Sequence, residues 1–211
     1  MAPKYVPTDT ITWTDESVTL SQLATVALLE FASTDDTRTH LCGVGISDGQ
    51  LAATDGHTLL RYDAPQREPV KALVLHGKVW SRDYVASALS VAKLDKTDVV
   101  LEYAALRDRT HHGFPPIAQV VPEPGFGYVE QTDTLTRDDG KLPKPKRIKK
   151  QEPVALNPEY LARMVKVCKA LGNQGCLLTS MRGELDPVMY TIGGRKGCEL
   201  VATIVIMPMR Y

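Results

Sequence analysis

Apolar and polar positions along the chain fall into three similar patches, each combining one helical period with short strands. In the first, Leu20, Leu23, Ala27 and Phe31 recur at helical spacing behind Thr14-Asp15, which reads as a helix cap. A polar stretch, Ser33-Thr34-Asp35-Asp36-Thr37, comes next, then short apolar runs broken by Asp48-Gly49 and Asp55-Gly56 and ending near Tyr62. Asp-Gly between such runs predicts hairpins, because both residues tolerate positive φ.

The second patch predicts a strand over 71–75, a helix over about 79–92 with Val85, Leu89 and Ala92 on one side, and a strand over 99–103. Gly113-Phe114-Pro115-Pro116 and the strand-like 117–121 close it. Between 123 and 152 the periodicity disappears. Prolines and the basic run Lys144-Pro145-Lys146-Arg147-Ile148-Lys149-Lys150 predict a linker or long loop. The third patch holds the clearest helix: Asn157 caps it, Pro158 takes the first position, Glu159 sits near its positive end, and Gly172 stops it. Leu161, Met164, Cys168 and Leu171 form its apolar stripe. Strands over 176–181, 188–192 and 200–207 follow, and Gly193-Gly194-Arg195-Lys196-Gly197 reads as a β-turn, since a phosphate cradle needs a helix behind it. A lone unit leaves one face of its helix and sheet bare, so the units are expected to pack on one another in an α+β fold.

Composition narrows the function classes. Lys and Arg together number 25, as do Asp and Glu, so bulk charge gives no support for tight nucleic-acid binding. No apolar run approaches the length that spans a bilayer, and the N-terminal residues lack a signal-peptide core; a cytoplasmic protein with no membrane contact is expected. Cys42, Cys168, Cys176 and Cys198 make no C-x-x-C pair, and His40, His57, His76, His111 and His112 make no ligand pattern, so core thiols are preferred over disulfides or a metal site. An enzymatic reading rests on Cys42 with His57 alone. That pair lacks an orienting third residue, so neither catalytic residues nor cofactors are expected.

Two segments are more specific. The sequence runs through Val205-Ile206-Met207-Pro208-Met209-Arg210-Tyr211, an apolar strand where a frayed end would be usual, and so predicts a wall rather than a tail. With Ala53-Thr54-Asp55-Gly56-His57-Thr58-Leu59 it resembles the bacterial replicative sliding clamp, the β subunit of DNA polymerase III. The resemblance implies a clamp fold of repeated strand-helix-strand units, with helices on one face and antiparallel sheets on the other. It implies an N-terminal tail over 1–9, a middle-domain-like region over 10–122 with a shortened second half-unit, the linker over 123–152, and a half-domain over 153–211. The family's first domain and the first half of its last have no counterpart.

In that family the two segments form opposite sides of a peptide cleft, which carries over residue by residue. Leu41, Thr54, Gly56, His57, Leu59, Pro115, Val120, Asn157, Tyr160, Leu185, Pro187, Val205, Met207, Pro208, Met209 and Arg210 match it, while Thr58 and Gln119 replace customary arginines and one phenylalanine has no counterpart. Singly, each position also reads as core or as a plain hairpin turn. Their joint order carries the resemblance. Convergent apolar residues with a few polar handles would in any case suit one or two anchors of a partner peptide.

What the resemblance implies is a non-enzymatic processivity factor that rings duplex DNA and tethers polymerase and clamp-loader subunits through short Leu/Phe peptides. A non-ring adaptor or decoy with the same cleft is the alternative. Lys78, Arg82, Arg163, Lys166 and Lys169 are candidate non-specific DNA contacts, and so are Lys146, Arg147, Lys149 and Lys150, which read equally well as a solvated linker. The family's ring holds twelve half-units, so three per chain predicts a homotetramer.

Overall fold

The computed structural model describes residues 11–47, 50–63, 75–107, 114–117, 121, 129–134, 155–170, 176–181, 187–192 and 201–208. Its elements begin with a hairpin rather than a helix. Thr14 donates its N–H to Ser17 O at 2.9 Å, and its hydroxyl oxygen accepts the N–H of Ser17 at 3.0 Å, turning β1 (Thr12–Trp13) into β2 (Ser17–Leu20). The helix expected behind Thr14-Asp15 therefore starts later, as α1 (Gln22–Phe31), where Ser21 Oγ accepts from Ala24 N–H. The apparent helical spacing had joined a strand residue, the buried Leu20, to a helix in which Leu23 faces outward and Ala24, Ala27, Leu28 and Phe31 face in.

Three strands follow: β3 (Gly43–Ser47), β4 (Gln50–Thr54) and β5 (Thr58–Asp63). Ser47 lies opposite Gln50, as a two-residue hairpin requires, although the Asp48-Gly49 turn itself is outside the described residues. The strand expected over 71–75 also falls almost wholly outside them. The second helix opens later than its apolar pattern suggested, because Val79–Ser81 is a strand, β6, paired with β3. Ser81 caps α2 (Arg82–Asp95), which buries Val85, Leu89 and Ala92 as expected. Strand β7 (Val99–Glu102) pairs with β2.

Strand β8 (Val129–Thr134) lies inside the stretch read as linker; the basic run is outside the described residues. Little in Val-Glu-Gln-Thr-Asp-Thr signals a strand. It follows β9 (Cys176–Met181) in register, taking up a free sheet edge, so pairing rather than apolar pattern selects it. Asn157 Oδ1 accepts Glu159 N–H at 2.9 Å and opens α3 (Pro158–Ala170) as expected. The helix buries Met164 and also Val167, which the predicted stripe omitted. β10 (Val188–Ile192) and β11 (Val201–Ile206) complete the sheet.

Among the described residues all strand pairs are antiparallel, in a three-stranded sheet β1-β2-β7 and an eight-stranded sheet β6-β3-β4-β5-β11-β10-β9-β8. Helix α1 packs on β3, β4 and β5 and between α2 and α3. The main core, with Phe31, Trp80, Tyr62 and Leu60, fills this interior. A smaller cluster joins Ala52, Leu59, Val79, Met189 and Val205 to Phe114, Ile117 and Val121. Of the segment expected as a strand over 117–121, Ile117 and Val121 are described: Val121 N–H donates to Ile117 O at 2.8 Å, a bond of helical rather than strand spacing, and both side chains pack in this cluster. Gly45 makes room for it: a methyl group there would come within 2.2 Å of the Phe114 ring.

Candidate binding site at the end of the β5–β11 seam

Strands far apart in the chain meet here. β5 and β11 pair from Val201 opposite Asp63 to Ile206 opposite Thr58, and Met207 N–H to His57 O at 2.9 Å extends the ladder one step. On the other side of β11, Val188 lies opposite Ile206, so Pro187 falls beside Met207. His57, Met207 and Pro187 thus stand abreast, across two strand spacings or roughly 10 Å. Deeper in the same strands Leu59, Val205 and Met189 stand abreast in the smaller apolar cluster.

The sequence-predicted residues therefore split into floor and rim. Leu41, Leu59, Val205 and Thr54 are buried. Met207 is 40% exposed, Gly56 and His57 are exposed, and Pro115, Asn157, Tyr160, Pro187 and Pro208 are half-buried. Val120, Leu185, Met209 and Arg210 lie outside the described residues. Met189, Phe114 and Ile117 belong to the floor, though sequence reasoning had not placed them there. Only strand register could have revealed Met189.

The turn between β4 and β5 is ordered by its own polar groups. Thr54 hydroxyl donates to Thr58 O at 2.6 Å and accepts Gly56 N–H at 3.1 Å. Gly56 sits at φ 91°, and a methyl group there would lie 3.7 Å from Leu41 Cδ1, so Leu41 underlies the turn. Asp55 Oδ1 accepts the N–H groups of His57 (2.9 Å) and Thr58 (2.7 Å) and the Thr58 hydroxyl (3.0 Å). Its Oδ2 meets Arg163 Nη1 of α3 at 2.6 Å. Burial pushes the Asp55 pKa up, but these donors outweigh it and hold the carboxyl below its ordinary value. Tyr160 stacks on His57, with centroids 6.4 Å apart and planes within 13°, and the Arg163 guanidinium lies 5.6 Å from the Tyr160 centroid. The Cys–His pair does not form: Cys42 Sγ donates to Asp35 O at 3.1 Å, while His57 stacks on Tyr160.

Three of the candidate DNA contacts on the helices, Arg82, Arg163 and Lys166, have internal partners. Arg82 Nη1 donates to Leu29 O (2.6 Å) and Ala32 O (3.0 Å), satisfying the end of α1. Lys166 Nζ pairs with Glu30 at 3.1 Å and Arg163 with Asp55. Lys78 is half-buried beside β6. Lys169 lies in α3, with its side chain outside the described residues, as are Lys146, Arg147, Lys149 and Lys150.

No family model matches the sequence, and no curated protein resembles it closely enough to register as similar. Solved structures do. The DnaN sliding clamp (DNA polymerase III subunit beta) of Bartonella birtlesii, bound to griselimycin, matches 100% of this chain with 69% of its own, at a TM-score of 0.57 and 19% identity. The sliding clamp of Caulobacter crescentus matches 95% of the chain with 68% of its own, at a TM-score of 0.59 and 17% identity. The fold is that of the bacterial sliding clamps. The H. pylori β clamp in complex with diflunisal agrees, matching 95% of the chain at a TM-score of 0.60 and 9% identity. The chain spans about two thirds of the length of these clamps, 69% of the Bartonella chain and 68% of the Caulobacter chain.

Proposed function

We propose that this chain is a non-enzymatic tether of the sliding-clamp type, which grips short Leu/Phe-containing peptides of polymerase and clamp-loader subunits in the groove at the end of the β5–β11 seam. The observation that carries the reading is the register itself, which puts His57, Met207 and Pro187 side by side above an apolar floor. Burying a Leu or Phe anchor contributes roughly 1.5–3 kcal/mol. Two anchors and a few hydrogen bonds on the polar rim would offset the ordering of a short peptide and leave affinity in about the micromolar range. Ligands on the Bartonella and H. pylori clamps fit a fold that can hold small occupants.

The same reading extends to a ring around duplex DNA, closed head to tail by four chains through a sheet edge such as β8. One observation favours the alternative, an adaptor or decoy that binds the peptides without encircling DNA. Helices α1, α2 and α3 carry five cations against four acids, and Arg82, Arg163 and Lys166 already have protein partners.

The cleft is tested by titrating a fluorescent Leu/Phe clamp-binding peptide into the protein and its Met207→Ala variant. Met207 is exposed, so the variant should fold normally, yet bind at least about tenfold more weakly for the loss of one anchor contact. Equal affinity in the two proteins would remove the assignment.

A further inference from the structure

We infer that Arg163 is the positioning residue of this cleft: it reaches from α3 and locks the turn that carries His57 into its binding conformation. The inference rests on the cleft reading above but concerns a residue that the sequence suggested for a different task.

The geometry divides the labour of one carboxylate. Asp55 Oδ1 collects the donors that shape the turn, and Oδ2 is left for Arg163 at 2.6 Å, from a residue 108 positions away in the chain. The two side chains are 29% and 16% exposed, so bulk salt screens the pair less than it would a surface pair. The Arg163 guanidinium also covers the Tyr160 ring, which stacks in turn on His57. Arg163 thus holds the turn twice, through Asp55 below and through Tyr160 beside the imidazole. Arg163 Nη1 lies 3.5 Å from Thr58 Oγ1, the last polar group of the turn.

Helix α3 does not depend on this contact. Met164 and Val167 anchor it in the core, and Lys166 ties it to Glu30 of α1. Removing the guanidinium should therefore loosen the turn, which keeps only its own Thr54 and Asp55 hydrogen bonds, while the helix stays docked. A turn that is competent only part of the time raises the apparent dissociation constant by the inverse of that fraction. Arg163 then acts on affinity without touching the peptide, and its charge is not available to phosphate.

The test uses the full chain with Arg163→Met, which keeps the stem that packs on Tyr160, and Arg163→Lys, which keeps the charge without the fork. Peptide affinity should fall about tenfold in Arg163→Met and recover in part in Arg163→Lys, at temperatures far below the melting transition of either. The salt dependence of duplex DNA binding should stay unchanged, whereas loss of a phosphate contact would lower its slope by about one. Unchanged peptide affinity in Arg163→Met, or a lower salt slope with normal peptide affinity, overturns the inference and leaves the cleft standing. Should the unmodified protein bind no such peptide, the cleft reading fails by itself, and NMR then decides on Arg163. A shifted His57 ring resonance and a raised Asp55 pKa in Arg163→Met support the lock, and their absence refutes it. If Arg163→Met does not fold, Arg163→Lys alone is read the same way.

Discussion

Asp55 does more at the site than any apolar residue assigned to it, yet its type is the least diagnostic, because Asp-Gly is what any tight turn would carry. The sequence showed the turn but not that the second carboxylate oxygen reaches a helix from another part of the chain. The consequence for pH has a definite sign. The folded pKa of Asp55 is depressed from an ordinary 3.8, so its contribution to stability is complete above that value and is lost as pH falls through the folded pKa. Urea denaturation between about pH 6 and pH 2 should show the Asp55→Asn variant losing less stability on acidification than the unmodified protein. Parallel curves would show that the carboxylate is not held as described.

Among the elements, those fixed by local chemistry were legible in advance. Asn157-Pro158-Glu159 marks the start of α3, and β9 and β10 lie where their apolar runs predicted. Elements chosen by a neighbour were not. Val79–Ser81 is a strand because β3 offers an edge, although its residues fit the period of the helix that follows. Leu20 belongs to β2 for the same reason, and β8 exists through β9. Phe114, Ile117 and Val121 are the clearest case, since only the close fit of Phe114 on Gly45 and the cluster shared with Leu59 and Val205 show that they cover this part of the sheet. Phe114 is 3% exposed, so Phe114→Ala should cost about 3–5 kcal/mol in urea denaturation. A loss under about 1 kcal/mol would mean the segment does not close the core.

At the scale of the molecule, the sequence motifs anticipated the meeting of the 53–59 turn and the 205–208 strand, but not how the partners would be shared. Leu59 and Val205 are buried in the smaller cluster, so in the proposed cleft an incoming side chain would meet Met207, Pro187 and the His57–Tyr160 pair instead. The positive charge that the helices leave for phosphate likewise depends on which cations find internal acceptors, which no composition reveals. It sets the decisive comparison between the two proposed modes of action. Native mass spectrometry should give a tetramer, and protein loaded on nicked circular DNA should leave when the circle is cut. A monomer that captures peptide but is not retained on circles identifies the adaptor.

The seam between β5 and β11 also governs how the molecule is made. During synthesis β5 leaves the ribosome well before β11, and at roughly 5–20 residues per second the wait is on the order of ten seconds. Throughout it, β5 has a bare hydrogen-bonding edge and Leu59 lacks its cluster partners Val205 and Met189, an invitation to chaperones and to self-association alike. Expression yield should therefore fall when translation across the intervening segment is slowed.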